Sequence, residues 1–171
     1  MQLQTLSPLV RFATLVLAVA APAAAQGWVQ RATAGAPPAR GNSAAAYDVY
    51  RGVTVLFGGF DGSSTPRSDT WEWNGTVWNP RVTLIKPSGR LGHGLAFDSK
   101  RGKTVLFGGF DGSVMRNDTW EWDGASWQQR SVATPPSARG FAGMVYDGAR
   151  GVTLLFVKPD ARIADVVGGP P

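Results

Sequence analysis

The chain contains no cysteine and only one histidine, His93. The lack of cysteine excludes disulfide bonds, thiol nucleophiles and cysteine-ligated zinc. A single histidine also excludes the paired-histidine metal motifs. Charged residues are few, at 17%, and the net charge of +5 includes no run of five like charges. This composition therefore gives little support to nucleic-acid binding.

The familiar catalytic and cofactor motifs are missing as well. The sequence contains no G-x-S-x-G nucleophile motif and no phosphate-binding loop. The stretches DGSSTPRSD and DGSVMRND lack the terminal Glu of a calcium-binding loop. Glu72 and Glu121 occupy equivalent repeat positions, which favours a structural role. We therefore predict no catalytic, cofactor-binding or metal-binding residue, and we interpret His93, with Asn42 and Ala142 as its equivalents, as structural.

The N-terminus predicts export. Arg11 is followed by the apolar run FATLVLAVAAPAAA, residues 12–25, which ends with Ala23 and Ala25 in an A-x-A arrangement. This pattern is typical of a secretory signal peptide spanning 1–25. The run is short for a membrane span and contains Pro22. The prediction is a secreted, periplasmic or extracellular protein of bacterial type without a membrane anchor after cleavage, and retention of the leader is the alternative.

Glycine and tryptophan are abundant, with 22 and 7 residues, and they belong to a repeat. The nonapeptide TVLFGGFDG occurs at 54–62 and again at 104–112. The surrounding similarity divides the remaining chain into a stub at 26–38, full copies at 39–88 and 89–137, and a partial, diverged copy at 138–171. A period of this length is typical of propellers and solenoids.

Each full copy predicts four β-strands. The first is SAAAY or HGLAF, and the second is TVLF, a continuous apolar run typical of a strand buried on both faces. The third is DTWEW, whose alternation places Trp71 and Trp73 on one face. A Trp marks the fourth strand. Asn74-Gly75 and Asp123-Gly124 predict type I′ hairpin turns before it.

The order of these features resembles the kelch repeat over about residues 27–156. The resemblance implies an all-β fold of kelch-type propeller blades, each a four-stranded antiparallel sheet, with about two full blades, partial ones and an incomplete ring. It also implies that the strand aromatics pack between blades. The positions that carry the resemblance are Gly58, Gly59, Trp71, Trp78, Gly108, Gly109, Trp120 and Trp127.

The third copy departs from this pattern. Val157-Lys158 replaces the double glycine, but RIADVV retains a weakened third strand in which Asp165 aligns with Asp69 and Asp118. No fourth strand follows, whereas a spare fourth strand occurs around Trp28. We weigh three interpretations: two chains that associate to supply six blades, a truncated or frameshifted product, and a diverged terminal cap.

The function implied by the resemblance is binding of a protein or carbohydrate, without a cofactor. In such blades the second-to-third-strand and blade-to-blade connections share one face, here 60–69, 79–90, 110–118 and 128–139. The alternatives are a remnant or subunit of an extracellular carbohydrate-acting propeller enzyme, and a fragment without independent activity. The binding candidates on these connections are Asp61, Arg67, Lys86, Arg90, Asp111, Arg116 and Arg139.

Overall fold

In a computed structural model, the residues described are 35–156 and the backbone of 163–167. They belong to one compact unit, Ala32–Pro171. This part of the chain contains strands and turns but no helix, and every strand pairing is antiparallel. The all-β prediction is thus confirmed. The predicted signal peptide at 1–25 and the strand around Trp28 lie outside the described residues.

The described residues form three separate sheets that follow one another along the chain, and none of these closes on itself. We call them sheets 1, 2 and 3. Sheet 1 has the order β1-β2-β3-β4, sheet 2 the order β5-β6-β7-β8, and sheet 3 the order β11-β10-β9. The strands are β1 Ala44–Asp48, β2 Val53–Phe57, β3 Thr70–Trp73, β4 Trp78–Arg81, β5 Gly94–Asp98, β6 Lys103–Phe110, β7 Met115–Trp122, β8 Trp127–Arg130, β9 Gly143–Asp147, β10 Val152–Phe156 and β11 Ile163–Val167.

The first hairpin of each sheet closes around an aspartate and a glycine. In sheet 1, Asp48 Oδ1 accepts the backbone N–H groups of Tyr50 and Arg51, both at 3.0 Å. Gly52 follows with a φ of 65°, in the left-handed region where a side chain is costly. Because Asp98 and Asp147 make the same bonds in the other sheets, this turn fixes the register of all three.

The hairpin between the third and fourth strands differs from the prediction. A type I′ turn needs positive φ at both central residues, but only Gly75, and not Asn74, has positive φ. Trp73 pairs with Trp78, so residues 74–77 form a longer loop. Asn74 Oδ1 closes it by accepting the N–H groups of Thr76 at 3.0 Å and Val77 at 2.9 Å. The side-chain oxygen replaces the turn that the Asn-Gly dipeptide predicted.

The third copy does form a third strand, but in another register. Asp165 of β11 pairs with Leu155, whereas Leu56 and Leu106 pair with Trp71 and Trp120. Asp165 therefore stands at the ladder position of a Trp, not at that of Asp69 and Asp118 as the alignment predicted. A bulge between Leu155 and Phe156 and the shorter connection at 157–162 account for the shift.

The core lies between the sheets rather than within one sheet. The first strands of the three sheets are neighbours, with β5 contacting both β1 and β9. Sheets 1 and 2 share one apolar cluster, and Phe107 and Leu155 form a smaller cluster between sheets 2 and 3. The buried residues of the larger cluster are Val55, Phe57, Leu95, Leu106, Trp120, Trp122 and Trp127.

Candidate functional site

The double glycine lets neighbouring connections approach one another closely. Gly58 and Gly59 have φ values of 61° and 98°. A Cβ on Gly58 would lie 2.6 Å from the carbonyl oxygen of Arg90, and Gly108 is equally close to Arg139 at 2.5 Å. No larger residue fits without moving the backbone.

Backbone hydrogen bonds then gather the connections at one edge of the molecule. Gly59 N–H donates to Arg90 O at 2.9 Å, and Arg90 N–H donates to Arg67 O at 3.1 Å. Gly109, Arg139 and Arg116 repeat this chain of bonds one sheet later. We call this side of the molecule the loop edge; it consists of residues 58–69, 82–93, 108–118 and 131–142.

Arg90 is a predicted binding residue that the structure places in the interior. Its side chain is 1% exposed. Its guanidinium donates to Asp118 at 2.6 and 2.9 Å and to Gly108 O at 2.9 Å. Burial alone would raise the pKa of Asp118, but hydrogen bonds from Arg90 and Trp120 outweigh it and lower that pKa. Arg90 therefore binds sheet 2 through its side chain and the Gly59–Arg67 segment through its backbone, and it does not face a ligand in solvent.

Arg40 and Arg139 occupy the corresponding places in the other sheets. Arg40 binds Asp69 with the same two-pronged geometry, at 2.6 and 2.9 Å. Arg139 is half-buried and donates to Ser137 O at 2.9 Å. The repetition of this arrangement ties Arg139, a predicted binding residue, to the framework of the loop edge.

Four other candidates form two exposed ion pairs on the loop edge. Arg67 pairs with Asp61, and Arg116 pairs with Asp111 at 2.6 Å. The pKa of Asp61 is lowered by hydrogen bonds from Ser63 and Arg67. Backbone N–H groups of the loop, together with its arginine, lower the pKa of Asp111 to about 2.

The two ion-paired loops are neighbours. A Cβ on Gly112 would lie 3.1 Å from Pro66 Cδ, so the tips of the loops touch. Lys86, the remaining candidate, is exposed in the connection 82–93. The candidates thus divide into exposed charges on the loop edge and two arginines, Arg90 and Arg139, whose backbone groups link neighbouring connections.

Sequence reasoning missed Phe141 on the same edge. Its φ of 59° is rare for a bulky residue, yet its side chain is 61% exposed. Asn42 and Gly92, at the equivalent positions, also have positive φ. The phenyl ring lies over Gly92. The signal in the sequence was Phe in ARGF where another copy has ARGN.

His93 is buried beside the loop edge, and its predicted equivalent in the first copy was wrong by one residue. Ser43, not Asn42, contacts Gly59 as His93 contacts Gly109. The imidazole packs edge-on against Phe57, with ring centres 5.5 Å apart. Burial and the charge of Arg90 lower its pKa to about 3, so the ring is neutral at physiological pH.

Sheets 1 and 2 meet at a polar junction inside the apolar cluster. Glu72 is 1% exposed and accepts bonds from Arg51 at 2.5 Å, Arg81 at 2.7 Å and Trp122 Nε1 at 2.9 Å. Burial would raise the pKa of Glu72, but these donors outweigh it and lower the pKa. The junction is completed by Trp127 Nε1, which donates to Thr70 Oγ1 at 2.9 Å.

The junction between sheets 2 and 3 lacks the indole donors. Glu121 accepts bonds from Arg101 and Arg130, but from no indole of the described residues. Thr119 Oγ1 is buried and has no hydrogen-bond partner. Thr119 also lines an open cavity of about 460 Å³ with Gln129 and Arg130. The sequence accounts for this difference, because the third copy has no Trp at the corresponding positions.

The outer face of sheet 1 is open. Trp73 and Trp78 lie on it, half-buried, with ring centres 5.7 Å apart. The corresponding Trp122 and Trp127 of sheet 2 are each 1% exposed because sheet 1 covers them. No sheet of the described residues covers the indoles of sheet 1 in the same way.

Neither a metal-binding cluster nor a membrane-spanning helix is found among the described residues. Residues 35–156 contain no group of three His, Cys, Asp or Glu side chains positioned to hold a metal ion. None of the described segments forms an apolar helix long enough to cross a membrane.

Comparison with known proteins gives no family model that matches the chain and no curated protein that is significantly similar to it.

Proposed function

We propose that the chain is a secreted, kelch-like propeller module that binds a protein or carbohydrate ligand through its loop edge. The three sheets are its blades, and the stub and the third copy are its incomplete ends. The proposal joins the kelch resemblance of the repeated sequence to the placement of its exposed charges.

The paired charges at the loop tips are the observation that carries this proposal. Asp61–Arg67 and Asp111–Arg116 recur side by side, and both arginine side chains are 44% exposed. Exposed ion pairs contribute little to folding, so stability alone gives weak reason for repeating them. Rigid sheets that carry polar loops are a common way to build a binding surface.

Phe141 adds an apolar surface to the same edge. An exposed aromatic in a strained backbone conformation is a feature associated with binding sites. Aromatic rings stack on sugars and also fill pockets of protein partners, and guanidinium groups bind carboxylates of either class. The loop edge therefore offers the chemistry for an acidic or neutral ligand.

Binding to a glycan array and to an array of acidic and neutral peptides tests the proposal. We expect binding by the exported protein to fall at least about tenfold in the double variant Arg67→Ala/Arg116→Ala. Arg150→Ala is the matched control, because Arg150 also pairs with an aspartate but lies in the β9–β10 turn. Equal binding by all three proteins, or no binding by any, would contradict the proposed loop-edge function.

Export is tested separately by sequencing the N-terminus of the protein recovered outside the cytoplasm. The expected result is a chain that begins at Gln26, after the A-x-A site. A protein that stays in the cytoplasm with its leader intact would refute secretion.

A further inference from the structure

We propose that Phe141 and Asn42 form a subsite for one sugar ring, which makes the ligand of the loop edge a saccharide. The inference rests on the proposed loop-edge function and deepens it by naming the class of ligand. It starts from a bulky residue in a strained backbone conformation, the glycine beneath its ring and an exposed amide in the same row of residues.

Asn42, Gly92 and Phe141 form a row that crosses the three sheets. Each lies two residues before the first strand of its sheet, and each has a positive φ, of 53°, 63° and 59° respectively. Gly92 N–H donates to Asn42 O at 2.8 Å, and Phe141 N–H donates to Gly92 O at 2.5 Å. These backbone bonds hold the three residues side by side, so a small ligand that binds one of them lies beside the next.

Phe141 is the member of this row for which the conformation is least favourable. Glycine adopts a positive φ freely and asparagine tolerates it, but the Cβ of a bulky residue clashes with the backbone there. Burial does not offset this strain, because 61% of Phe141 is exposed. A strained residue that adds little to the core is a feature of binding sites, where the strain holds a side chain ready for a ligand.

The phenyl ring has one covered face and one open face. A Cβ built on Gly92 would lie 2.8, 2.9 and 3.1 Å from three adjacent ring atoms of Phe141, Cδ1, Cε1 and Cγ. Such similar distances mean that the face of the ring, rather than its edge, lies on Gly92. The opposite face is open to solvent. Because the face of an aromatic ring is electronegative, it attracts the polarised C–H groups of a sugar ring that lies flat on it.

Asn42 supplies hydrogen-bonding groups in the same row. The residue is exposed, and its amide makes no hydrogen bond to another described residue. A carboxamide both donates and accepts, as does each hydroxyl of a sugar, so the two groups are matched. A sugar ring, with its C–H face and its rim of hydroxyls, would use the phenyl face and the amide together. An apolar side chain of a protein partner would use only the phenyl face.

The three copies show which residues the row accepts. Asparagine, glycine and phenylalanine occupy equivalent positions with the same backbone conformation. Phe141→Asn removes the ring and Asn42→Gly removes the amide, and each introduces a residue that an equivalent position already holds. Phe141→Asn should unfold at or above the temperature of the wild type, because the strain is relieved. Both variants should therefore fold, and thermal unfolding checks this.

Isothermal titration calorimetry of the exported protein tests the proposal, with hexasaccharides of glucose, mannose, galactose and galacturonic acid as probes. We expect at least one probe to bind. Phe141→Asn should weaken that binding about tenfold or more, and Asn42→Gly about threefold or more. Tyr47→Asn is the matched control, because Tyr47 is also exposed, at 59%, but lies in the regular strand β1 outside the row. Its binding should equal that of the wild type.

The outcomes separate the class of ligand from the loop-edge function. The saccharide assignment is overturned if no probe binds, if Phe141→Asn binds as tightly as the wild type, or if Tyr47→Asn weakens binding as much as Phe141→Asn. Binding of a peptide in place of every oligosaccharide, weakened by Arg67→Ala/Arg116→Ala, would overturn this assignment and leave the loop-edge function intact. Binding of neither a peptide nor an oligosaccharide would refute both.

Discussion

Sheets 1 and 2 carry nearly the same sequence but have different surroundings. DTWEW occurs at 69–73 and at 118–122, and the same pair of indoles is half-buried in sheet 1 and buried in sheet 2. Trp122 and Trp127 of sheet 2 donate to Glu72 and Thr70 of sheet 1. The indoles of Trp73 and Trp78 in sheet 1 have no such acceptors among the described residues. The repeat therefore encodes one donor face and one acceptor face, and each sheet is complete only beside a neighbour.

The junction of sheets 2 and 3 supplies the converse case. Its acceptors, Thr119 and Glu121, are present and buried, but no indole of the described residues reaches them. Interfaces between repeats of this kind carry much of the stability of a repeat protein. Substitutions at matched positions should therefore have unequal effects on the free energy of unfolding.

The largest inequality is expected between matched tryptophans. Trp122→Ala removes a buried indole and leaves Glu72 without one donor, and should cost about 3–5 kcal/mol. Trp73→Ala should cost about 1 kcal/mol or less in the monomer, because its indole lies on the open face. Urea unfolding at equal, low protein concentration gives both values. Equal losses would contradict the assignment of covered and open faces.

The matched glutamates should differ next. Glu72→Ala leaves two guanidinium groups and one indole without their hydrogen-bond acceptor, and should lower the free energy of unfolding by about 3 kcal/mol or more. Glu121→Ala removes the acceptor of two guanidinium groups but of no indole among the described residues, so the loss in free energy of unfolding should be smaller. Chemical unfolding of the two variants measures the difference. A larger loss for Glu121→Ala would be inconsistent with the indole bond at Glu72.

The acid stability of the fold should depend on the same carboxylate. The pKa of Glu72 is lowered in the folded state, so its contribution is present above the ordinary value of 4.5 and is lost as pH falls below it. Asp69 and Asp118 act in the same direction. Thermal unfolding from pH 6 to about pH 2 should show a smaller decline for Glu72→Gln than for the wild type. Parallel curves would show that Glu72 has an ordinary pKa in the folded protein.

The matched threonines should give the smallest difference. Thr70→Val leaves the Trp127 indole without an acceptor, at a cost of about 1–3 kcal/mol. Thr119→Val removes a hydroxyl that has no partner, so stability should change by less than about 0.5 kcal/mol. Both changes are measured by urea unfolding at the same low protein concentration. A substantial loss for Thr119→Val would indicate a partner for the hydroxyl.

Much of the fold could be predicted because the repeat combines strand patterns with restrictive turn residues. The period-two pattern of DTWEW places Thr70 and Glu72 on one face, and β3 has that pattern of burial. The positive φ values of Gly58 and Gly59 explain why both positions are glycine. These features are local, so one sequence is enough to predict them.

What could not be predicted depends on contacts between sheets. The sequence predicts TVLF as a strand buried on both faces, but Leu56 is half-buried and only Leu106, its counterpart, is fully buried. Arg90 was predicted as a binding residue because it lies on a blade-to-blade connection, and its partner Asp118 is distant in sequence. The register of β11 depends on the bulge between Leu155 and Phe156, which the residue types in the sequence do not predict. The pattern of apolar residues in a single strand does not show which of its side chains a neighbouring sheet will bury.

Hydrogen exchange of the indole N–H groups, followed by NMR, tests the central account of the two sheets most directly. At low protein concentration, Trp122 and Trp127 should exchange slowly, because their N–H groups are buried and bonded to Glu72 and Thr70. Trp73 and Trp78 should exchange rapidly, because their indoles are only half-buried and have no buried acceptor among the described residues. Exchange of Trp122 and Trp127 as fast as that of Trp73 and Trp78 would contradict the packing of sheet 2 on sheet 1.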